Sequence, residues 1–133
     1  MTVDPITLTV VWNTLISIAD ELGVTLRNTA FSEGVREGDD FSTAIFNCDA
    51  IMIAQGNFSP GHLGSMPAVA KTVLQYFPPE TLKPGDSILV NDSFIGATSL
   101  GNASTIYRTD LLSRDADYYR FIVPLGFQTT KIA

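Results

Sequence analysis

Apolar residues near the start of the chain recur on a helical period. Leu8, Val11, Trp12, Leu15, Ile18, Ala19 and Leu22 form one stripe at spacings of three and four. Asp4-Pro5 supplies the start, with a carboxylate in the N-cap position and a proline at the first helical position. Ile6 to Trp12 is β-branched enough to read as a strand in isolation. The longer period decides for a helix. Gly23 is expected to kink it before Val24-Thr25-Leu26-Arg27 continues it.

The rest of the pattern alternates short apolar runs with turn residues. Ser42 to Phe46 and Ile51 to Ala54 flank Asn47-Cys48-Asp49-Ala50, which predicts a β-hairpin. Gly56 to Gly61 reads as a loop. Met66-Pro67 opens a second helix, with Ser65 as candidate cap and Val69, Val73, Leu74 and Phe77 on one face; Pro78-Pro79 ends it. Leu82-Lys83-Pro84-Gly85-Asp86 is a turn into Ser87-Ile88-Leu89-Val90, expected to be a short buried strand. Asn91 to Asn102 is a loop. Thr105-Ile106-Tyr107 and Tyr119 to Val123 predict an antiparallel pair turning at Arg114 to Asp117. Together these elements give an α+β fold, a long N-terminal helix and a second helix packed on a mainly antiparallel sheet. Residues 1–133 read as one domain, without internal repeat or linker.

Composition adds a partner to this picture. The chain is 45% hydrophobic and only 17% charged, so either the core is unusually well filled or some apolar surface is destined for an interface. Eight Lys and Arg against 14 Asp and Glu give a net charge of −6. That argues against nucleic acid, whose affinity comes from clustered cations. No basic amphipathic face offers itself to an anionic membrane, and no apolar run of ~18 residues would span a bilayer. Met1-Thr2-Val3-Asp4-Pro5 lacks the features of a secretory signal. Cys48 is the only cysteine, which leaves no intrachain disulfide and no cysteine-based zinc site. A cytoplasmic protein is the expectation.

Candidate chemistry sits between the elements. Arg36-Glu37-Gly38-Asp39-Asp40-Phe41-Ser42 crowds carboxylates and a hydroxyl at the mouth of the first strand. Such a cluster suits a cation site or acid–base work, and equally a solvated turn. His62, the one histidine, lies just before the second helix; it is a candidate general base or anion-site neighbour, or a local cap. Asn91-Asp92 closes a strand, where a side chain can be aimed at a site or form an Asx turn. Trp12, Tyr118 and Tyr119 read as core or interface. No glycine-rich phosphate loop, nucleophile elbow or Cys–His pairing is present, so these residues alone name no reaction.

Several segments, taken in order, do carry a resemblance. They are Asp4 to Leu8, Leu26 to Ser32, Glu37 to Ser42, His62 to Met66, Pro84-Gly85-Asp86 and Val90 to Gly96. Over roughly residues 4–102 they resemble the N-terminal part of the hydantoinase B family. That family includes N-methylhydantoinase B subunits, part of 5-oxoprolinase, and subunits of acetone and acetophenone carboxylases. The resemblance implies an ATP-dependent system that opens a cyclic amide or carboxylates a ketone. An ATP-binding A-type subunit would phosphorylate the substrate, with a divalent metal in the full complex and no cofactor in the isolated chain. Asp40, His62 and Asp92 are then the candidate catalytic groups, Ser42 and Asn91 the candidate substrate-binding groups, and Glu37 the candidate metal ligand.

The chain also departs from the family pattern. The family motif Gly-Gly-Thr-His-x-Pro-Asp reads here Gly96-Ala97-Thr98-Ser99-Leu100-Gly101-Asn102. Ser99 is a poorer ligand than imidazole, and Asn102 lacks the negative charge of Asp. Ser93 stands where the family has Pro, and no downstream histidine follows. One surviving carboxylate does not make a tight metal site. The favoured reading is a subunit or N-terminal piece of such an enzyme, inactive alone, partnered by an A-type subunit or the remainder of a B-type subunit. The alternative is a stand-alone binding or assembly module, possible as a homo-oligomer. A third reading, a small metal hydrolase using Glu37, Asp40, His62 and Asp92, requires their loops to meet.

Overall fold

The computed structural model describes residues 4–83, 85–90, 92, 104–109 and 118–124, the last two segments as backbone. Helix α1 spans Pro5–Thr29. Its start is set by Asp4, whose carboxylate accepts from the Thr7 N–H at 3.0 Å and the Thr7 hydroxyl at 3.1 Å. Those bonds satisfy one of the donors that every helix N-terminus leaves unpaired. At the far end the Ala30 N–H closes onto the Leu26 carbonyl at 2.9 Å. The helix runs as one continuous element through Gly23. The reason for glycine is lateral. A Cβ at position 23 would meet the Phe58 ring at 2.0 Å.

After α1 come a short helix α2 (Glu33–Arg36), the hairpin β1 (Phe41–Asn47) and β2 (Met52–Gln55), and helix α3 (Met66–Tyr76). A 3-10 turn (Pro79–Thr81) leads to β3 (Ser87–Val90), β4 (Ser104–Thr109) and β5 (Tyr118–Pro124). The strands form one five-stranded sheet ordered β2-β1-β5-β4-β3, and its described pairings are all antiparallel. This is the expected α+β architecture. The hairpin turn follows from Asn47, whose side-chain oxygen accepts from the Asp49 N–H (3.0 Å) and the Ile51 N–H (2.8 Å) while Ala50 adopts φ 59°.

Strand β1 is buried on both faces, and its alternation sorts the core. Ala44 and Phe46 join Met66, Val69, Ala70 and Val73 of α3 on one side. Ile45 joins Leu15 and Ala19 of α1 on the other. The result is three layers, helix on sheet on helix. A bulge between Ile45 and Phe46 lets Ile53 and Ala54 both pack towards α1 while Met52 packs towards α3. A buried hydrogen bond from the Thr43 hydroxyl to the Ala19 carbonyl (2.7 Å) fixes α1 on the sheet.

Three local expectations need correcting. Strand β3 is an edge strand, half exposed, with Leu89 at 70%; with a neighbour on one side only, its apolar run is not enclosed. Ser65 precedes α3 but caps nothing: its hydroxyl donates to the His62 carbonyl at 2.9 Å. Phe77 lies beyond the last turn of α3 and is exposed. The loop 91–102, apart from Asp92, and the turn 114–117 lie outside the described residues. The side chains of Tyr118 and Tyr119 do so too. Among the described residues no helix is long and apolar enough to cross a membrane.

Two measurements follow. Gly23→Ala should destabilise by about 1–3 kcal/mol through overpacking against Phe58, although alanine is intrinsically better in a helix by ~1 kcal/mol. Gly64→Ala, with nothing within 4 Å of the added carbon, should stay within about 0.5 kcal/mol of the parent in the same denaturant titration. A Gly23→Ala variant at parental stability would contradict the packing. The second concerns Asp4, whose carboxyl the Thr7 N–H holds below its ordinary value of 3.8. A depressed acid stabilises the fold above its unfolded-state pKa and ceases to do so as pH falls through the folded one. The stability gap between parent and Asp4→Ala should therefore be complete above pH 3.8 and close below it. A gap independent of pH would show that the charge contributes nothing.

Candidate functional site

The acidic run is built as a corner between α1 and β1. Glu37 ends α2, its N–H donating to the Glu33 carbonyl at 2.8 Å, and its side chain is exposed. Asp39 sits at φ 50°, in the left-handed region, which Asp and Asn tolerate better than most residues. That twist lets neighbouring carboxylates part company. Asp39 turns to α1, where Arg27 grips it with a two-pronged fork, Nε to Oδ1 and NH2 to Oδ2, each at 2.7 Å. Arg27 also lies over the Phe58 ring, 5.6 Å from its centroid, and that ring packs on Phe41 with centroids 4.5 Å apart. The guanidinium is thereby held in one place by an aromatic face and a carboxylate together.

Asp40 turns instead to the loop before α3. Its Oδ1 lies 3.3 Å from His62 Nε2. The imidazole is largely enclosed, whereas Asp40 is more than half exposed. The backbone of His62 is held as firmly as its ring. Its carbonyl accepts from the Ser65 N–H (3.1 Å), the Met66 N–H (3.2 Å) and the Ser65 hydroxyl. A carboxylate beside one ring nitrogen orients the imidazole, an arrangement that general acid–base chemistry can use. The sequence singles out both residues without pairing them, since 22 positions separate them.

The other candidates fall differently. Ser42 is fully buried, and its hydroxyl donates to the Ser59 carbonyl. It ties β1 to the loop after β2 and does not face solvent among the described residues. Asp92 is exposed beyond β3. Register places it usefully: Thr43 pairs with Ile122, Ile122 with Thr105, and Thr105 with Leu89. The start of β1 and the end of β3 therefore share one end of the sheet. Three strand spacings of ~4.8 Å put Asp92 roughly 14 Å from Asp40 along that end. Asn91, Ser93, Ser99 and Asn102 lie outside the described residues.

Whether these groups suit the implied metal follows from what each already holds. Asp39 is committed to Arg27 and Asp40 to His62, and Glu37 points to solvent. Among the described residues no three His, Cys, Asp or Glu side chains gather where a metal ion would bind. That part of the chain does not form a metal site by itself.

The sequence profile of the hydantoinase B/oxoprolinase family matches residues 4–107. The chain belongs to that family. An uncharacterised protein of Methanocaldococcus jannaschii is 37% identical over 105 residues, covering 77% of this chain and 19% of its own length. The β subunit of caprolactamase from Pseudomonas jessenii is 41% identical over 91 residues, 68% of this chain and 16% of that subunit. The solved structure of the ATP-dependent caprolactamase from the same organism superposes with a TM-score of 0.72 at 26% identity, covering 94% of this chain and 21% of that one. The chain thus spans about a fifth or less of the length of the curated relatives it matches. Its resemblance to the family, from the acidic run to the His62 segment, falls inside the matched region.

The corner itself is testable. Asp39→Asn keeps a residue that tolerates φ 50° and loses only the ion pair, which at this exposure should cost about 0.5–1 kcal/mol. Asp39→Ala loses the pair and also the short polar side chain that eases the left-handed region, which should add a further ~0.5–1 kcal/mol. Chemical denaturation of the two variants and of Arg27→Met would check the order. Equal losses for Asn and Ala would mean that the backbone twist is unimportant.

Proposed function

We propose that this chain is the N-terminal part, or a separate subunit, of an ATP-dependent enzyme that opens a cyclic amide, and that it is not catalytic alone. The observation that carries this reading is family membership over residues 4–107, together with the 41% identity to a caprolactamase β subunit. The partners in this reading are an ATP-binding A-type subunit and the remainder of a B-type polypeptide. ATP held by that partner subunit supplies the phosphoryl group that activates the amide carbonyl.

Asp40 and His62 are the residues we assign to the chemistry. In this reading the His62 ring takes a proton from the water that attacks the carbonyl, and Asp40, beside its Nε2, stabilises the imidazolium that results. Asp92 and Asn91 are proposed to border the same end of the site on the substrate side. Glu37 is the remaining carboxylate of the family's metal set. One exposed carboxylate does not retain a divalent ion, so a metal in the assembled enzyme would draw its other ligands from the partners. Ser99 and Asn102, standing where the family has His and Asp, favour a second reading, an assembly module without turnover.

The test is reconstitution with an A-type subunit and a B-type remainder, following ATP hydrolysis and caprolactam ring opening. Turnover should require every component. Asp40→Asn and His62→Gln should each lower kcat by about a hundredfold or more, the scale of a lost general base, while thermal stability stays near that of the parent. Glu37→Gln should alter neither stability nor assembly. A large loss of activity from Glu37→Gln would restore a working metal corner. A stable assembly without turnover would favour the second reading, and undiminished turnover in the Asp40 and His62 variants would reject the assigned roles.

A further inference from the structure

The first half of α1 is built for an environment that the described residues do not provide. Residues 4–14 include no buried position, even on the stripe that continues towards the sheet. Ile6 (75%), Val10 (60%) and Trp12 (54%) are among the most exposed large apolar side chains, with Leu8 and Val11 beside them. At 3.6 residues per turn, Ile6 and Val10 lie on one side of the helix, Leu8 and Trp12 on the opposite side, and Val11 between them. A helix that is apolar all round belongs in a core, not on a surface.

The polar residues of the same stretch agree. Residues 5–19 carry no charge. The hydroxyls of Thr9, Thr14 and Ser17 fold back onto the carbonyls of Pro5, Val10 and Asn13 at 2.8, 2.8 and 3.0 Å. Hydroxyls satisfied within their own helix need no water and tolerate enclosure. Beside this stretch, Trp12 and Ile16 line an open groove of about 290 Å³ against Met52 to Gln55 of the edge strand β2. Groove and helix together make one apolar surface bordered by β2, the strand at the edge of the sheet among the described residues.

We propose that residues 5–12 form a core helix of a larger assembly, enclosed on all sides by the remainder of a hydantoinase B-type polypeptide. The inference rests on the family reading above and adds the surface through which the parts join. Length points to this occupant. The chain covers 94% of itself but only 21% of the solved caprolactamase chain, so a polypeptide several times its size accompanies the same fold there. A second copy pairing along one stripe would cover Leu8 and Trp12 and leave Ile6 and Val10 in water. Enclosure from every side needs a partner large enough to wrap the helix.

The experiment uses the full 133-residue chain and, as probe, the Pseudomonas jessenii caprolactamase β subunit shortened by its matching segment. Native mass spectrometry and titration should give a one-to-one complex. Val10→Asp and Ile6→Asp, on the side away from the sheet, should each weaken it by about a hundredfold or more, because a carboxylate would be buried unpaired. Thr9→Val should bind like the parent and Thr9→Lys should not. Far-UV circular dichroism of each variant checks that α1 survives. Absence of a complex with the parent chain would overturn the proposal, as would a parent homodimer that Val10→Asp dissociates. Binding of the parent to phosphatidylcholine vesicles in preference to the probe would overturn it too. If the complex forms with the stated sensitivities but shows no ATP-dependent turnover beside an A-type subunit, the docking stands and the catalytic reading fails. Turnover unaffected by Val10→Asp and Ile6→Asp would sink the docking and leave the catalytic reading in place.

Discussion

The grip of Arg27 on Asp39 is the constraint on which the site depends. An acidic turn of Glu37, Asp39 and Asp40 would, left to itself, spread its carboxylates into water by mutual repulsion. Here the guanidinium takes one of them in a two-pronged fork and holds it against α1. The ion pair alone is worth little at this exposure. Its effect is geometric: with Asp39 turned one way, the chain delivers Asp40 the other way, to His62. Arg27 is itself fixed by Phe58, and Phe58 reaches its place only because position 23 has no side chain to obstruct it. A glycine on one helix thus sets the direction of a carboxylate on a turn.

Strand β1 converts that local arrangement into a rigid one. Its odd-numbered residues face α1 and its even-numbered residues face α3, so each helix is registered against the same backbone. The two buried hydroxyls of the strand serve as fasteners, Thr43 to the Ala19 carbonyl and Ser42 to the Ser59 carbonyl. Because the loop carrying Phe58 and Ser59 follows β2 directly, its N–H of Ser59 also returns to the Phe41 carbonyl, at 3.1 Å. The two partners of the candidate pair come from segments locked to the same strand.

Much of this was legible in the sequence where the signal is local. Asp4-Pro5 marked the helix start, Asn47 the hairpin, and Pro78-Pro79 the end of α3, because caps and turns act within a few residues. The α+β architecture followed from the alternation of periods. Misreadings arose where a residue's reason lies far along the chain. The packing reason for Gly23 was hidden because its neighbour Phe58 is distant in sequence. The apolar run of β3 looked buried because sheet order cannot be read from a single strand. The burial of Ser42 could not be read either, because nothing local shows which face of β1 is enclosed. The pairing of Asp40 with His62 was hidden for the same reason, while each residue alone was visible as a candidate.

The two ends of α1 carry different duties, and that links them. The C-terminal half presents Gly23 and Arg27, which orient the acidic corner; the N-terminal half presents a charge-free, all-round apolar surface. About 17 residues of continuous helix separate Val10 from Arg27, roughly 25 Å at the rise of an α-helix. A continuous helix of this length transmits the orientation of one end to the other once that end is seated. Among the described residues it is fastened from Leu15 onwards, through Leu15, Ala19, the Thr43 hydrogen bond and the Arg27–Asp39 fork, while its first turns overhang. Enclosing the overhanging half would therefore restrict tilting about that fastening, and with it the position of Arg27. Through Asp39, the same enclosure would hold Asp40 on His62. Assembly and the geometry of the Asp40–His62 pair are in this way coupled through one helix.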